Sequence, residues 1–291
     1  MYISIVIPYY KDKVRLLNLL ALLEHQELGK EYWEVLVVNN DPLIPLSFPE
    51  EFNVCYTLKI LEEPTPGSYA ARNIGVKFAK GNIIGFTDSD MLPDPKWIQV
   101  AFNRFKNDDE SKIGILTGPV PLFYKDPQKL SPAETYEKYT GFDFEGYAKE
   151  GACGAGNWFS YKAVLNEFGG FREDLKSNGD TDLSLRISSR YSVLYISELI
   201  NRHPARYFTK DLVFRYRRII GGAYTRRFMK NKIGFLKYTL NFVFRRYRFS
   251  LKKIFTVPFH ESLKIFMVCN ALNLGVIKEY FILILGGETK R

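Results

Sequence analysis

Hydrophobic and polar positions in the first 120 residues follow two patterns: short continuous apolar runs, and apolar positions at helical spacing. The continuous runs are rich in β-branched residues and predict buried strands at 2–8, 33–38, 56–61 and 82–87. Helical spacing covers 12–25, and a second helix is predicted over about 69–80, ending at Gly81. Strands alternating with helices in this order predict an α/β fold with a mainly parallel central sheet flanked by helices.

Polar residues follow two of the predicted strands. The second strand ends in Asn39-Asn40-Asp41-Pro42, and the fourth is followed directly by Asp88-Ser89-Asp90. A loop rich in proline and glycine, 62–68, precedes the second helix. Because open parallel sheets bind ligands beyond the carboxyl ends of their strands, these segments are expected to share one edge.

The Asp88-Ser89-Asp90 triplet suggests a metal site. If the backbone stays extended, the two carboxylates project to one side, where they repel unless a cation lies beside them. Mg²⁺ or Mn²⁺ meets this need, since it binds one or two carboxylates together with the phosphate oxygens of a substrate. The alternative is that Asp88 or Ser89 caps a helix that begins near Asp94.

The net charge of +9 is unevenly distributed. Residues 201–255 hold 16 of the 41 lysines and arginines and a single acid, Asp211, with aromatic residues interspersed. Nucleic acid, anionic lipid and a polyphosphate substrate all remain open as partners, as does an ordinary solubilising surface. Three widely separated cysteines fit no disulfide framework or zinc spacing, which indicates a reducing compartment. No continuous apolar run approaches the ~18–20 residues of a membrane-spanning helix, so no such helix is expected.

Five segments in order carry a family resemblance: "SIVIPYY", the strand ending in Asn39-Asn40, "PGSYAARNIGVKFAKGNIIGFTDSD", "GGFREDLKSNGDTDLSLR" and "HPAR". Together they resemble the family 2 glycosyltransferases of the GT-A fold, over roughly residues 1–206. The resemblance implies a GT-A catalytic domain over 1–208. The basic, aromatic-rich remainder, 209–291, is then a helical C-terminal region.

The resemblance also implies a donor site for a nucleotide-diphosphate sugar, UDP- or dTDP-linked. Its expected donor-binding residues are Pro8, Tyr10, Asn40, Gly67, Arg72, Asp88 and Asp90. A Mn²⁺ or Mg²⁺ cofactor is expected on Asp90, Asp88 and His203. Family members commonly have acids where Asn39-Asn40 stands, which leaves the base identity in doubt; Asn40 can still bond a pyrimidine edge, and a purely structural turn is the alternative.

The "NGDTDLSLR" segment carries the chemistry that the resemblance implies. Asp180 matches the general base, which takes the proton of the acceptor hydroxyl, and Asp182 is a possible second acid. Capping of a helix N-terminus is the structural alternative, and it is compatible with the chemical role. Asn157 and Trp158 are candidates to line the acceptor pocket, and internal packing accounts for them equally well.

The expected activity is therefore transfer of a sugar, with inversion, to a hydroxyl of a glycan or lipid-linked acceptor during surface polysaccharide or glycoconjugate assembly. A non-catalytic relative that binds nucleotide sugar or tethers an assembly complex is the alternative. The first strand is followed by no G-x-G-x-x-G segment, which excludes a dinucleotide oxidoreductase.

The basic region then suits helices lying on an anionic membrane, and a peripheral enzyme on the cytoplasmic face is expected. Packing of these helices on the catalytic core or on a second chain is the alternative. No nucleic acid partner is expected, because nucleic acid binding would leave the carboxylates unexplained.

Overall fold

A computed structural model describes residues 1–41 and 43–289. These residues form two compact units. The sheet unit comprises Met1–Pro121, Phe142–Glu173 and Gly179–His203, and the helical unit comprises Leu122–Gly141, Asp174–Asn178 and residues 204–289. The expected boundary between catalytic and C-terminal domains at residue 208 stays a prediction.

The described residues form ten strands. They are β1 (Ile3–Tyr9), β2 (Trp33–Asn39), β3 (Thr57–Glu62), β4 (Ile83–Phe86), β5 (Leu92–Pro93), β6 (Ile113–Thr117), β7 (Leu122–Phe123), β8 (Trp158–Tyr161), β9 (Ser192–Tyr195) and β10 (Asn201–Pro204). Seven of them make the sheet of the sheet unit, in the order β3-β2-β1-β4-β8-β6-β9. Neighbours are parallel except around β8, which runs antiparallel to β4 and β6. The mainly parallel α/β sheet predicted from the sequence is thereby confirmed.

In the same part of the chain, 1–41 and 43–289, ten α-helices accompany the strands. They are α1 (Lys13–Leu23), α2 (Ser68–Phe78), α3 (Trp97–Lys106), α4 (Pro132–Lys138), α5 (Phe144–Lys149), α6 (Lys162–Glu167), α7 (Gly179–Ser188), α8 (Thr209–Ala223), α9 (Lys232–Ile254) and α10 (Phe259–Ile284). A 3₁₀ turn at Lys30–Tyr32 precedes β2, and a π-helical turn at Tyr224–Phe228 continues α8. The two helices predicted over the first 80 residues correspond to α1 and α2.

The central strands of the sheet unit lie in its core. Every residue of β1, β2 and β4 is buried, so these strands read as the continuous apolar runs seen in the sequence. Helix α2 lies close against β1, because Gly75 leaves room for Val6: a Cβ at Gly75 would be 2.2 Å from Val6 Cγ1. This close packing fixes α2, which carries Arg72, relative to the strand ends.

The helical unit is built around α10, which packs against α9, α8 and α4. Its apolar core joins Leu212 of α8 to Ile265 and Leu272 of α10, and a second cluster surrounds Phe235 of α9. The predicted C-terminal helical region is therefore present.

One helix of this region bears on the expectation that no helix spans a membrane. Helix α10 is, by length and composition, apolar enough to cross a membrane, with a mean hydropathy of 1.5 over its best window. Asparagine and serine residues interrupt this stretch, so it does not form a continuous apolar run in the sequence. Of that window, 44% is buried within the protein.

Candidate active site

The candidate site lies at the carboxyl edge of the parallel strands. Strand β1 pairs with both β2 and β4, so the segments following Tyr9, Asn39 and Phe86 leave the sheet at the same edge. Two of these segments begin with polar residues that are held by specific hydrogen bonds. Thr87 is buried, and its Oγ1 accepts a hydrogen bond of 2.9 Å from Asn201 Nδ2.

The Asp88-Ser89-Asp90 triplet is a turn and not an extended strand end. The amide of Met91 donates to Asp88 O at 3.2 Å, which closes the turn. The two carboxylates therefore do not follow the two-residue repeat of a strand, as the sequence had suggested. The capping alternative is also wrong: α3 begins at Trp97, and Asp94, not Asp88 or Ser89, accepts the hydrogen bond of the Trp97 amide at its backbone oxygen.

Arg72 and Asp88 form an ion pair at this edge, through Arg72 Nη2 and Asp88 Oδ1. The arginine is only 4% exposed, and its guanidinium lies 5.9 Å from the ring centre of Tyr69 and 5.8 Å from that of Phe171. Its Nε has no hydrogen-bond partner within the described chain. A buried guanidinium with a free donor, held by one partly exposed carboxylate, is well suited to share its charge with an anionic ligand.

Asp90 faces a different cation. Its Oδ2 lies 3.6 Å from Nη1 of Arg15, which is in the first turn of α1. Its side chain keeps 25% exposure, and that of Asp88 keeps 40%, so both carboxylates are reachable from the edge. The predicted third metal ligand, His203, lies in β10 with its ring edge-to-face against Phe142, 5.1 Å between ring centres.

Asn40 acts as a clamp on the loop that precedes α2. Its Nδ2 donates to the backbone oxygens of Glu63 and Thr65, both at 2.8 Å, and its Oδ1 accepts from the Gly67 amide at 2.6 Å. Two carbonyls on one side and an N–H on the other fix the orientation of the amide. Both amide hydrogens are used within the chain, so only a lone pair of Oδ1 remains for the predicted contact with a base.

The clamped loop ends at Gly67, where φ is +139°. This backbone conformation strongly favours glycine, which has no Cβ to clash. The two other predicted donor residues differ in their exposure. Pro8 is buried within β1 opposite Val38, whereas Tyr10 directly after the strand is 58% exposed, with Lys11 Nζ 4.9 Å from its ring centre.

Asp41 is a candidate that the sequence reasoning did not single out. It follows Asn40 at the end of β2, is 4% exposed, and its Oδ2 has no hydrogen-bond partner among the described residues. Burial, together with the charges of Asp12 and Asp41, raises the pKa of Tyr9, which indicates that Asp41 lies near the end of β1. Only the tertiary structure reveals it, because in sequence it is one more polar residue of a turn. Pro42, the last residue of that turn, lies outside the described residues.

Asp180 is the second residue of α7 and lies beside Tyr69. Tyr69 Oη accepts a hydrogen bond of 2.9 Å from the Gly179 amide, and Asp180 Oδ1 accepts one of 2.9 Å from Thr181 N. Burial first, and then the charge of Asp180, raises the pKa of Tyr69, so its hydroxyl stays protonated. Tyr69 therefore links the two parts of the site, because it contacts α7 through its hydroxyl and Arg72 through its ring.

Asp182 has internal partners. Its carboxylate lies 3.1 Å from Arg186 Nε, one turn along α7, and 3.9 Å from Arg172 Nη1. Arg186 in turn donates to the backbone oxygen of Gly170 at 2.8 Å. These bonds tie the start of α7 to the segment before it, and a role as second acid stays a prediction.

Asn157 and Trp158 are completely buried. Asn157 accepts from Trp97 Nε1 at 2.8 Å and donates to Leu199 O at 2.7 Å, and Trp158 Nε1 donates to Ser160 Oγ at 2.6 Å. These partners favour the packing role that the sequence had left open. Their contact with an acceptor stays a prediction, and this geometry gives it no support.

The comparison with protein families settles the class of the chain. Residues 4–165 match the family model described as Glycosyl transferase family 2. The chain belongs to glycosyl transferase family 2. The resemblance inferred from the motifs is confirmed, and so is the assignment of the protein as a glycosyltransferase.

Curated relatives agree with this family. Glycosyltransferase AglE of Haloferax volcanii is 29% identical over 221 residues, which cover 74% of this chain and 71% of AglE. The uncharacterised glycosyltransferase YfnE of Bacillus subtilis is 31% identical over 144 residues, 47% of this chain and 36% of YfnE.

Two solved structures share the fold. The mannosyltransferase PcManGT of Pyrobaculum calidifontis, in complex with GDP-Man and Mn²⁺, superposes with a TM-score of 0.56 at 14% identity, covering 98% of this chain and 76% of PcManGT. TarS 1–349 of S. aureus, in complex with UDP-GlcNAc, gives 0.53 at 17% identity, covering 99% and 93%. These identities support the fold alone.

The glycosyltransferase has carboxylates that fit a divalent metal only in part. Within residues 1–41 and 43–289, no three histidine, cysteine, aspartate or glutamate side chains are grouped closely enough to hold a metal. Asp88, Asp90 and His203 are therefore not a preassembled set of three ligands. One or two accessible carboxylates still suit Mg²⁺ or Mn²⁺, because such ions take further ligands from water and substrate phosphates.

Proposed function

We propose that this glycosyltransferase moves a sugar from a nucleotide-diphosphate donor to a hydroxyl of a glycan or lipid-linked acceptor, with inversion at the anomeric carbon. The relatives named above are glycosyltransferases, and one curated match of 27% identity is a minor teichoic acid biosynthesis protein of Bacillus subtilis. Polysaccharide or glycoconjugate assembly is accordingly the process in which we expect it to act.

One observation carries this proposal. The buried Arg72 holds Asp88 on one side and contacts Tyr69 on the other, and Tyr69 is hydrogen-bonded to the amide before Asp180. A cation that can meet a diphosphate and a carboxylate that can take a proton are thus linked through a single side chain. Inverting glycosyl transfer uses both groups, on opposite faces of the anomeric carbon.

The residues divide the work as follows. Asp180 takes the proton of the acceptor hydroxyl as that oxygen bonds to the anomeric carbon, and Arg72 faces the charge that develops on the departing diphosphate. Asp90, together with Asp88, would hold Mn²⁺ or Mg²⁺, and the metal, when bound, neutralises diphosphate charge. Tyr69 keeps its proton and positions the start of α7, because its Oη accepts from Gly179 N.

The donor base is uracil or thymine in this proposal. Both present an imide N–H, and the unpartnered Oδ2 of Asp41 is an acceptor that such a donor would satisfy. Asn40 contributes by holding the loop up to Gly67 in place and not by offering its amide hydrogens. Tyr10, exposed after β1, is available to stack on the base.

Nucleotide binding is tested by thermal unfolding with UDP, dTDP, GDP and CMP, each with and without Mn²⁺. A ligand at a hundredfold excess over its dissociation constant adds about 2.7 kcal/mol, which corresponds to about 5–10 °C. We expect a metal-dependent shift with UDP or dTDP that Asp90→Ala abolishes. No shift with any nucleotide would contradict the donor assignment.

Catalysis is tested by the release of nucleoside diphosphate with membranes of the producing cell as acceptor source. Removing a general base typically lowers the rate by about 10²–10⁴-fold. Asp180→Asn should do so with unchanged donor affinity, whereas Asp182→Asn, which removes the partner of Arg186, should act mainly on stability. Equal rate losses would argue against Asp180 as the base, and the anomeric configuration of the product, read by NMR, tests inversion.

We further propose that the helical unit lies on the anionic, cytoplasmic face of a membrane. Exposed apolar residues recur every three or four positions along α9: Ile233, Leu236, Leu240, Phe244, Tyr247 and Leu251. At 100° per residue they form one stripe, and Lys237, Arg248 and Lys252 fall beside it. A second exposed stripe on α10 is joined to the first by a 3.0 Å bond from Tyr247 Oη to Asn270 Oδ1. Apolar residues flanked by cations suit an anionic bilayer surface.

Sedimentation with vesicles tests this proposal. We expect binding to phosphatidylglycerol vesicles that weakens with salt, and little binding to phosphatidylcholine vesicles. Phe244→Glu should abolish it, while Val14→Glu, the same change at an exposed apolar residue of the sheet unit, should not. Equal binding by both variants would contradict the assignment of α9.

A further inference from the structure

The helical unit contains a cleft that glycosyl transfer in the sheet unit does not use. It has a volume of about 380 Å³ and is lined by residues of α4, α8 and α9 together with Thr140. Five of its nine lining residues are aromatic, and the others are Thr140, Asn241, Arg245 and Arg246. The volume falls in the range of small-molecule sites, and the lining combines flat apolar faces with hydrogen-bond donors.

Arg246 is the central polar residue of this cleft. It is 7% exposed, and its guanidinium lies 4.2 Å from the ring centre of Tyr216 and 4.5 Å from that of Phe242. Nη1 donates to Asn273 Oδ1 at 3.0 Å. No carboxylate of the described chain forms an ion pair with it. A buried cation whose partners are all neutral retains its full attraction for an anion.

The nearest ionisable neighbours do not neutralise Arg246. Burial and the adjacent Tyr216 raise the pKa of Tyr136, so the Tyr136 hydroxyl stays protonated. Two buried carboxylates of the unit already bind other cations. Glu137 binds Arg206 at 2.8 Å, and Glu279 binds an arginine of α8 at 2.7 Å.

Several donors converge with this charge. Arg245 is exposed at the cleft, on the helix face adjacent to Arg246, and it forms no ion pair within the described chain. The amide of Asn241 adds neutral donors, whereas the hydroxyl of Thr140 already donates to Tyr136 O at 2.9 Å. Two guanidinium groups with such donors match the several oxygens of a phosphate or diphosphate better than a single carboxylate.

We propose that this cleft binds a diphosphate, free or as an ester, with Arg245 and Arg246 on the diphosphate and the aromatic rings against any group that it carries. The attached group is either the prenyl chain of a lipid or absent, as in free diphosphate, because both present the same anion. This site belongs wholly to the helical unit, and its occupation requires neither the donor nor the metal.

Isothermal titration calorimetry in the presence of a chelator tests the proposal, because removal of divalent metal suppresses binding at Asp88 and Asp90. The probes are inorganic diphosphate and farnesyl diphosphate. The variants are Arg245→Gln, Arg246→Gln and, as the matched control, Arg248→Gln, which removes the same charge from the same helix outside the cleft. Loss of a hydrogen bond to a charged group predicts about 10- to 100-fold weaker binding for Arg245→Gln and Arg246→Gln.

Each outcome bears on the proposal. Because Arg246→Gln risks misfolding of a buried position, the exposed Arg245→Gln decides, and its melting temperature must match that of the wild type. Tighter binding of farnesyl diphosphate supports a lipid source, and equal binding of the two probes supports recognition of the diphosphate alone. No saturable binding by the wild type up to about 1 mM, or equal losses in Arg245→Gln and Arg248→Gln, overturns the proposal.

Discussion

The clamp formed by Asn40 can be tested by the substitution Asn40→Asp, which restores the residue type common in the family. The change replaces the two N–H donors with a second carboxylate oxygen. The backbone oxygens of Glu63 and Thr65, each now 2.8 Å from Nδ2, would then face an acceptor. The bond from the Gly67 amide to Oδ1 is retained, so the perturbation is confined to one side of the side chain.

The expected cost follows from these contacts. Losing two hydrogen bonds, one of them to the buried Glu63, and placing a carboxylate oxygen against both carbonyl oxygens amounts to about 2–4 kcal/mol. Asn40 is 6% exposed, so the introduced charge is also poorly solvated and adds to the cost. At about 2–4 °C per kcal/mol, we expect the melting temperature to fall by about 4–16 °C.

Urea and thermal unfolding, each followed by circular dichroism, measure this effect. Asn82→Asp is the matched control, because its Oδ1 accepts from the Tyr2 amide at 2.9 Å and aspartate keeps that acceptor. The control should unfold like the wild type. If Asn40→Asp did so too, the carbonyls of Glu63 and Thr65 would have other donors, and the clamp would not hold the loop.

Three further predictions test other contacts. A Cβ at Gly179 would lie 2.6 Å from the ring of Tyr69, so Gly179→Ala should cost about 1–3 kcal/mol and slow transfer more than it weakens donor binding, as steady-state kinetics can measure. Burial opposes ionisation of Glu34, but its hydrogen bonds and ion pair lower its pKa on balance. The stabilisation that ionised Glu34 gives to the fold is therefore present above the unfolded pKa near 4.5, and it is lost as pH falls through the folded pKa. The stability gap between wild type and Glu34→Gln in urea should shrink as the pH falls below about 4.5, and parallel pH profiles would contradict this. Glu279→Gln should destabilise by about 3–5 kcal/mol because it leaves Arg217 buried without its partner, and the double variant with Arg217→Met should recover much of that loss in the same assay.

Much of the fold could be predicted from the sequence because the patterns that specify strands and helices are local. Buried strands such as β1 and β2 appear as continuous β-branched runs, since both faces of a central parallel strand are covered. Order along the chain then predicted the parallel sheet and its functional edge. The motifs likewise predicted the family, because they depend on residue identity at fixed spacing and not on contacts.

The site could be predicted only as a set of candidates. An asparagine at position 40 is compatible with base binding and with a structural turn. Its hydrogen bonds to the loop before α2 are made with residues more than twenty positions away in the sequence. The same holds for Asp41, whose unpartnered oxygen has no signal in the sequence. It also holds for Trp158, because its residue type does not show that it is completely buried. Hydrogen bonding and burial are properties of tertiary neighbours, so residue type alone does not fix them.

The C-terminal region shows the same division. Sequence alone determined that 201–255 is basic and aromatic, and hence that an anionic partner is expected. Tertiary structure decided which face of each helix is used: Phe235 is buried in the core, Phe244 is exposed, and Arg246 lies without a carboxylate partner in a cleft. An amphipathic pattern specifies that one face of a helix is apolar, but the packing of its neighbours determines which apolar residues remain for a ligand or a membrane.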